Sequence, residues 1–160
     1  MIEINKVIDG AEIAIVRTLL LEYQQALDID LCFQGFAAEL ETLPGEYAPP
    51  GGRLLLASYD GEIAGCAALR PLQPLQSLQL DTGEMKRLYV RPPYRSAGVG
   101  RQLAVRVIAE ARAAGYQRIF LDTLPTMEGA QRLYESLGFK QIAAYRHNPI
   151  AGTRFLGLEL

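Results

Sequence analysis

An α+β fold is predicted for this 160-residue chain, because strand-like and helix-like patterns follow one another along its whole length. Asp60-Gly61 between two apolar runs indicates a β-hairpin, since Asp-Gly favours the tight turn that joins antiparallel strands. Pro92-Pro93 ends another strand-like run, and a small-residue stretch and a helical pattern follow it. The hydrophobic content of 49% is ordinary for a folded protein, and the length predicts a single domain at residues 1–160.

The first half of the chain is predicted to form three strands and two helices. Ile2 and Ile4 alternate with polar residues as in a strand, and apolar residues recur at helical spacing over residues 11–26. Phe36 lies in a less regular stretch where a short second helix is predicted, and Pro44-Gly45 marks the loop after it. The predicted ranges are 2–7, 11–26, 33–40, 53–58 and 62–69, followed by an exposed loop at 71–82.

The second half is predicted to form four strands and two helices. Proline supplies no N–H donor to a sheet, so Pro92-Pro93 must end the strand that contains Leu88 and Val90. Gly115 and Gly138 follow helical patterns at the position where a left-handed residue commonly ends a helix. The predicted ranges are strands at 84–90, 118–122, 139–145 and 153–160, and helices at 99–114 and 127–137.

The strongest functional signal lies in residues 84–106, which contain six Lys or Arg residues and one acid in a chain of net charge −2. The first N–H groups of a helix lack internal partners and carry partial positive charge. Side chains as small as those of Ser96, Ala97, Gly98 and Gly100 let an anion approach these groups. A local cationic patch on an acidic chain suits a phosphate-bearing small molecule better than a nucleic acid, which binds a broad basic face.

Three kinds of phosphate-binding loop can be compared with this stretch. The Walker loop requires Gly-Lys-Ser/Thr, whereas Gly100 is followed by Arg101-Gln102. The dinucleotide fingerprint requires a third glycine and a place in the first βαβ unit, and neither condition is met. The third kind, Arg/Gln-x-x-Gly-x-Gly/Ala between a strand and a helix, fits residues 95–100 at every position.

Two further segments accompany this loop: Leu-Tyr-Val-Arg-Pro at 88–92, just before it, and residues 130–139, which end in Leu-Gly-Phe. With them, the chain resembles the GCN5-related N-acetyltransferase (GNAT) superfamily. The resemblance in element order covers nearly the whole chain. It implies a three-layer α/β/α fold with a mixed, mostly antiparallel sheet that splays between two central parallel strands. It also implies that acetyl-CoA is the cosubstrate and lies in the resulting wedge.

The resemblance further implies which residues bind acetyl-CoA. The diphosphate is expected on the N–H groups of residues 96–100, and the N–H of Leu88 or Val90 is expected to stabilise the oxyanion. The alternative is an ordinary helix start with solvated arginines. The predicted cofactor-binding residues are Leu88, Tyr89, Val90, Arg95, Ser96, Ala97, Gly98, Val99, Gly100, Arg101, Ala130 and Tyr134.

Two residues are predicted to be catalytic, Tyr134 as the acid at the sulfur and Glu84 as the base. Tyr134 resembles a tyrosine that many family members place beside the thioester. Glu84 lies eleven residues before Arg95, the interval found in the family's histone acetyltransferases. The alternatives are that Tyr134 only positions CoA and that Glu84 is paired with a neighbouring cation. His147 is expected to be a solvated loop residue.

The predicted function is transfer of acetyl from acetyl-CoA to a primary amine of a small metabolite or peptide, by direct attack in a ternary complex. A protein N-terminal or lysine acetyltransferase and an acyl-CoA-binding regulatory module without turnover are the alternatives. The predicted acceptor-binding residues are Phe33, Arg70, Tyr145, Arg146 and Asn148.

Composition predicts the compartment and excludes several partners. Cys32 and Cys66 show neither metal-ligand nor disulfide spacing, so no metal is expected. The chain shows no signal peptide and no apolar run long enough for a membrane span, which favours a cytoplasmic protein. The net charge argues against a nucleic-acid partner, and a homodimer stays open because many members of the family form one.

Overall fold

A single seven-stranded sheet with four α-helices forms the fold of the computed structural model, which describes residues 1–27, 31, 35–72 and 81–160. The order of elements confirms the prediction. In chain order the elements are β1 (Ile2–Lys6), α1 (Gly10–Leu27), α2 (Phe36–Thr42), β2 (Arg53–Tyr59), β3 (Glu62–Pro71), β4 (Thr82–Val90), α3 (Val99–Ala113), β5 (Arg118–Thr123), α4 (Glu128–Ser136), β6 (Lys140–Gln141) and β7 (Arg154–Glu159).

One predicted strand is much shorter than expected. The sequence pattern predicted a strand over residues 139–145, but β6 contains only two residues. The N–H of Ile142 still donates to the carbonyl of Phe155, and the chain then leaves the sheet. Tyr145 and Arg146 instead reach across to Glu84 on β4, so a buried polar contact takes the place of further strand pairing.

The sheet has the order β1-β2-β3-β4-β5-β7-β6, and only β4 and β5 pair in parallel. Their register runs from Thr82 opposite Arg118 to Glu84 opposite Phe120 and then stops. Both strands continue beyond that point, β4 to Val90 and β5 to Thr123. A gap therefore opens between them, which confirms the expected splay of the two central strands.

A β-bulge bends β4 just where the gap opens. Cys66 pairs with Tyr89 and Ala68 with Lys86, so two residues of β4 face the single residue between Cys66 and Ala68 on β3. The first of the two, Arg87, has φ of 60°, a left-handed conformation that is uncommon outside glycine. The bulge reverses the alternation of the strand, so Lys86 and Tyr89 lie on the same face of the sheet: Tyr89 packs on Tyr23 of α1, and Lys86 lines a cavity together with Tyr23.

Apolar side chains fill the space on both faces of the sheet and make three layers. Leu103 and Val107 of α3 pack with Leu55 of β2 on one face. Leu19 of α1 and Phe36 of α2 pack on the other face. Within the described parts of the chain, no helix combines the length and the hydropathy of a membrane span.

Candidate active site

A cleft of about 790 Å³ lies between β4, the segment 95–100, α1 and α4. Its wall on the sheet side is Leu88, Tyr89 and Val90, the residues of β4 that have lost the parallel partner. Ala130 of α4 faces them, and its small side chain keeps the cleft open. The cleft is therefore the direct product of the splayed strands.

A smaller cavity of about 60 Å³ adjoins the cleft and extends deeper between β4 and β5; we call it the inner cavity. It shares Tyr23, Leu27, Leu88, Met127 and Ala130 with the cleft. Besides Tyr23, its polar lining consists of Lys86, Arg87, Asp122, Thr123, Tyr134 and Asn148. A ligand in the cleft can therefore present one end to a group of titratable side chains.

The segment 95–100, which we call the anion loop, presents unpaired backbone donors. Ser96 has φ of 71° and Gly98 has φ of 91°, and such alternation makes a concave nest of N–H groups. No described residue accepts a hydrogen bond from the N–H groups of Ser96, Gly98, Val99, Gly100 or Arg101. The loop can therefore bind an anion without breaking a hydrogen bond of the protein.

The positive charge of this region is concentrated on Arg95 and Arg101, at the two ends of the anion loop. Arg95 Nε donates to the Val90 carbonyl at 3.0 Å, and Arg101 Nη2 donates to Ser136 Oγ at 2.6 Å. Both side chains are exposed, and no acid of the described residues lies within ion-pair distance of either. The other four cations of residues 84–106 pair with acids, as Lys86–Asp122, Arg87–Glu39, Arg91–Glu22 and Arg106–Glu110.

The backbone of β4 offers further donors to the cleft. The N–H of Arg91 donates to the carbonyl of Ala64 on β3 at 2.8 Å. Successive N–H groups of a strand point to opposite sides, so those of Val90 and Leu88 point away from β3. They face the side where β5 has separated, which is the side of the cleft.

Tyr134 of α4 lines the inner cavity, as expected of a residue near the reacting atoms. Its ring is buried and packs edge-to-face on Phe139, with 5.7 Å between the ring centres. Burial raises the pKa of its phenol well above the ordinary value, and nearby Tyr23 and Asp122 raise it further. The phenol therefore stays protonated at neutral pH and can donate a proton or a hydrogen bond.

Glu84 is fully buried at the centre of a cluster of polar side chains. Its carboxylate accepts from Arg70 Nε at 2.9 Å, from Tyr145 Oη at 2.7 Å and from Arg146 Nη2 at 2.7 Å. Burial alone would raise the pKa of Glu84, but the charges of Lys86, Arg70 and Arg146 outweigh it and hold that pKa below the ordinary value. The group is an ionised anchor for three donors.

The other predicted acceptor residues fall into three groups. Arg70, Tyr145 and Arg146 all surround Glu84, and Arg70 also donates to Glu46 at 2.9 Å. Asn148 lines the inner cavity, where its Nδ2 lies 3.4 Å from Asp122 Oδ2. Phe33 lies outside the described residues, and His147 is exposed, as expected.

Lys86 and Asp122 were not predicted as site residues, although both line the inner cavity. Lys86 Nζ lies 4.0 Å from Asp122 Oδ1, and both side chains are buried. Burial lowers the pKa of Lys86 to about 8. A sequence signal existed for Asp122, since a charged residue near the end of a central strand is unusual in a core. Lys86 had none, because its surroundings depend on where the distant strands β4 and β5 stop pairing.

Comparison with known proteins supports the same interpretation. The model of the acetyltransferase (GNAT) family matches residues 17–139. An uncharacterized N-acetyltransferase of Schizosaccharomyces pombe is 39% identical over 145 residues, covering 90% of this chain and 86% of the relative. The N-acetylaspartate synthetase of Rattus norvegicus is 32% identical over 104 residues, covering 65% of this chain and 33% of the relative.

Solved structures show the same fold. An acetyltransferase of Streptococcus agalactiae superposes with a TM-score of 0.75 and 26% identity, covering 99% of this chain and 98% of that one. The yncA protein of Salmonella typhimurium, solved with its cofactor acetyl-CoA, has a TM-score of 0.69 and 22% identity, covering 99% and 93%. The splayed sheet, the cleft and the family match agree: the chain belongs to the acetyltransferase (GNAT) family, whose members are acyl-CoA-dependent acyltransferases.

Proposed function

We propose that the protein transfers acetyl from acetyl-CoA to a primary amine of a small metabolite or peptide, by direct attack while both substrates are bound. The observation that carries the proposal is the end of β4–β5 pairing at Glu84 and Phe120. It opens a cleft that begins at the unpaired donors of the anion loop and ends at Tyr134. One elongated ligand with an anionic head and a reactive tail fits this shape.

The residues present fit acetyl-CoA. A Cβ added at Gly98 would meet no atom of residues 1–27, 31, 35–72 or 81–160 within 4 Å, so these residues leave the space in front of the anion loop open. The N–H groups there, with Arg95 and Arg101, would hold the diphosphate, and the edge of β4 at Leu88 and Val90 would hold the amide-bearing arm. The yncA protein of Salmonella typhimurium holds acetyl-CoA in the same fold. When bound, acetyl-CoA supplies an activated acyl group as a thioester.

The chain's own groups would act at three points. The N–H of Leu88 or Val90 would donate to the acyl oxygen, where negative charge develops. Tyr134 would donate a hydrogen bond at the sulfur. For Glu84, the lowered pKa and three donors support a role in holding Arg70, Tyr145 and Arg146 in place more than they support direct proton abstraction.

A small or extended acceptor is supported by the size of the inner cavity. About 60 Å³ admits the amine end of a metabolite or peptide and no larger group. The cavity also carries charge of both signs, on Lys86 and Asp122, which suits a polar amine. The relative named N-acetylaspartate synthetase acts, by its name, on a small amino acid, so amino acids are the first acceptors to test.

The experiment is a screen of amines that measures the thiol released from acetyl-CoA. The panel contains amino acids including L-aspartate, polyamines, peptides with free N-termini and peptides with lysine as the sole amine. We expect release above the acetyl-CoA hydrolysis background with small or peptide amines. Tight acetyl-CoA binding with no release for any amine would contradict the proposal and favour a binding module.

A further inference from the structure

Lys86 occupies a position that requires explanation. Its side chain is 4% exposed and lines the inner cavity, whereas lysine is among the residues least often buried. It faces Asp122 across the gap between β4 and β5, because pairing of these strands has already ended at Glu84. The distance of 4.0 Å between Nζ and Oδ1 is longer than a hydrogen bond, so the ion pair is loose.

The groups around Lys86 have opposite effects on its pKa. The pKa of Lys86 falls to about 8, first because burial disfavours the ammonium and then because of the charges of Arg87 and Arg70. The carboxylates of Glu84 and Asp122 act in the opposite direction and limit the fall. Among the described residues, the charged or titratable groups that surround the inner cavity and the Glu84 cluster include Glu84 and Arg87 on β4, Arg70 on β3, Asp122 on β5, Tyr23 on α1, Tyr134 on α4, and Tyr145 and Arg146 before β7.

Other groups near the cavity are poorly suited to accept a proton at neutral pH. Glu84 is ionised but holds three donors, and its pKa is lowered. Burial raises the pKa of both Tyr23 and Tyr134, so neither becomes a phenolate near neutrality. By contrast, a lysine with a pKa of about 8 is neutral in about a tenth of the molecules at pH 7, rather than about one in several thousand.

We propose that Lys86 is the catalytic base, taking a proton from the acceptor ammonium while Asp122 holds that ammonium beside it. The inference rests on the proposed function, since it concerns the amine that attacks the acetyl group. It assigns to the Lys86–Asp122 pair the task that the sequence suggested for Glu84. Glu84 then acts on Lys86 indirectly, because its negative charge raises the pKa of Lys86.

The proton balance is complete without a further reactant. The acceptor ammonium has three N–H bonds and the product amide has one, so two protons leave the nitrogen. One passes to the neutral amine of Lys86 before the new C–N bond forms, and Lys86 later releases it to solvent. The C–S bond of the thioester breaks as the C–N bond forms, the electron pair goes to sulfur, and the second proton ends on the thiol.

The first test needs no turnover. The chain has only three lysines, at 6, 86 and 140, so ¹³Cε-lysine labelling of the whole protein gives three NMR signals. We expect the signal of Lys86 to titrate near pH 8. Lys6→Arg and Lys140→Arg, at more exposed positions, assign the signals by elimination. A Lys86 signal that titrates near the ordinary lysine value of about 10.4 overturns the proposal.

A second variant tests the pairing with Asp122. Removing the carboxylate in Asp122→Asn takes away a charge that raises the Lys86 pKa, so the Lys86 titration should move to lower pH. Lys140→Arg serves as the control and should leave that titration in place. An unmoved Lys86 titration in Asp122→Asn would show that the two side chains are not coupled and would refute the assignment.

The third test measures kcat/KM against pH, with acetyl-CoA and the panel amine that releases thiol fastest. For the wild type the rate should rise with pH and level above about 8, because the base must be neutral. In Lys86→Met this rise with pH should disappear and kcat/KM should fall by about 10²-fold or more. In Lys140→Met the rise and the value of kcat/KM should be those of the wild type. A wild-type profile in folded Lys86→Met overturns the proposal and leaves acetyl transfer intact. Failure of every panel amine instead refutes the proposed function, and the inference with it.

Discussion

Two residues with left-handed backbone, Ser96 and Gly98, give the anion loop its shape. Their φ values turn successive N–H groups toward one side, and in the described parts of the chain no atom lies within 4 Å of a Cβ placed at Gly98. The sequence could predict this loop because its signal is local, a motif six residues long. It could not show that Arg87 and Arg91, so near in the chain, direct their charge to Glu39 and Glu22 instead.

Gly98→Glu should raise the Kd of acetyl-CoA at least tenfold, because it places a carboxylate where the diphosphate is expected. Its left-handed φ also costs about 1–2 kcal/mol of stability for a side chain. Gly115→Glu is the matched control, since Gly115 has φ of 90°, equally open space and a position at the other end of α3. Calorimetry should show weakened binding only for the first variant; equal affinities would remove the anion-loop assignment.

Tyr134→Phe should lower kcat by about 10²-fold or more while changing acetyl-CoA affinity little, because the ring still packs on Phe139 and only the donor is lost. Steady-state kinetics with varied acetyl-CoA checks this. The control is Tyr59→Phe, because Tyr59 lines neither the cleft nor the inner cavity. A wild-type kcat in Tyr134→Phe would reduce the tyrosine to a packing residue.

Glu84→Gln should destabilise the protein by about 3 kcal/mol, because it leaves Arg70 and Arg146 beside a neutral group. The folded pKa of Glu84 is lowered, so its contribution is present above the unfolded value of about 4.3 and is lost as pH falls through the folded value. Acid unfolding should therefore be less steep for the variant. Urea unfolding at pH 7 and at pH 3–4 measures both effects.

Glu159→Gln is the control for that experiment, since it breaks an exposed ion pair with Arg118 and should cost under about 1 kcal/mol. If Glu84 is instead the base, the variant would also move the acidic limb of the pH–rate profile. The pH–rate profile of Glu84→Gln thus distinguishes an anchoring carboxylate from a catalytic one.

At the scale of elements, the cleft depends on where β4 stops pairing and on how close α4 comes to it. The order of strands and helices was predictable, because hydrophobic periodicity is a local property of each segment. The resemblance implied the splay, but no pattern in this sequence showed it or the bulge at Arg87, since both depend on pairing between distant strands. The short β6 was missed for the same reason: Tyr145 and Glu84 are 61 residues apart.

Ala130→Phe should raise the Kd of acetyl-CoA by tenfold or more, because the ring would fill the space between α4 and the edge of β4. The thermal unfolding midpoint should change little, since the added ring enters open space. Arg132→Phe, at an exposed position on the same helix, is the control and should bind normally. Normal binding by Ala130→Phe would mean that the ligand does not pass between these two elements.

At the scale of the whole molecule, a chain of net charge −2 keeps two cations, Arg95 and Arg101, beside the anion loop, and neither pairs with an acid of the described residues. The count of charged residues along the sequence located the cationic region but overstated its net positive charge. The fold decides which of these cations form ion pairs with acids. The attraction for a phosphate-bearing ligand should therefore be modest, local and sensitive to salt.

Arg101→Gln should raise the Kd of acetyl-CoA several-fold and make it less dependent on ionic strength, because one of two exposed charges is removed. Binding measured between 0.05 and 1 M NaCl checks this prediction, since the Debye length falls from roughly 10 Å at 0.1 M to 3 Å at 1 M. Arg112→Gln, an exposed arginine at the opposite end of α3, should leave both quantities unchanged. Equal salt slopes for the two variants would argue against steering by the loop.

The unpaired side of β4 has a consequence for what the protein can recognise. Open strand edges usually lie at the rim of a sheet, where a second protein molecule can add a strand and start aggregation. Here the open edge lies in the middle of the sheet, between neighbours of the same chain. Only a thin ligand with its own amide groups can reach it, so the fold admits a slender molecule and excludes another polypeptide sheet.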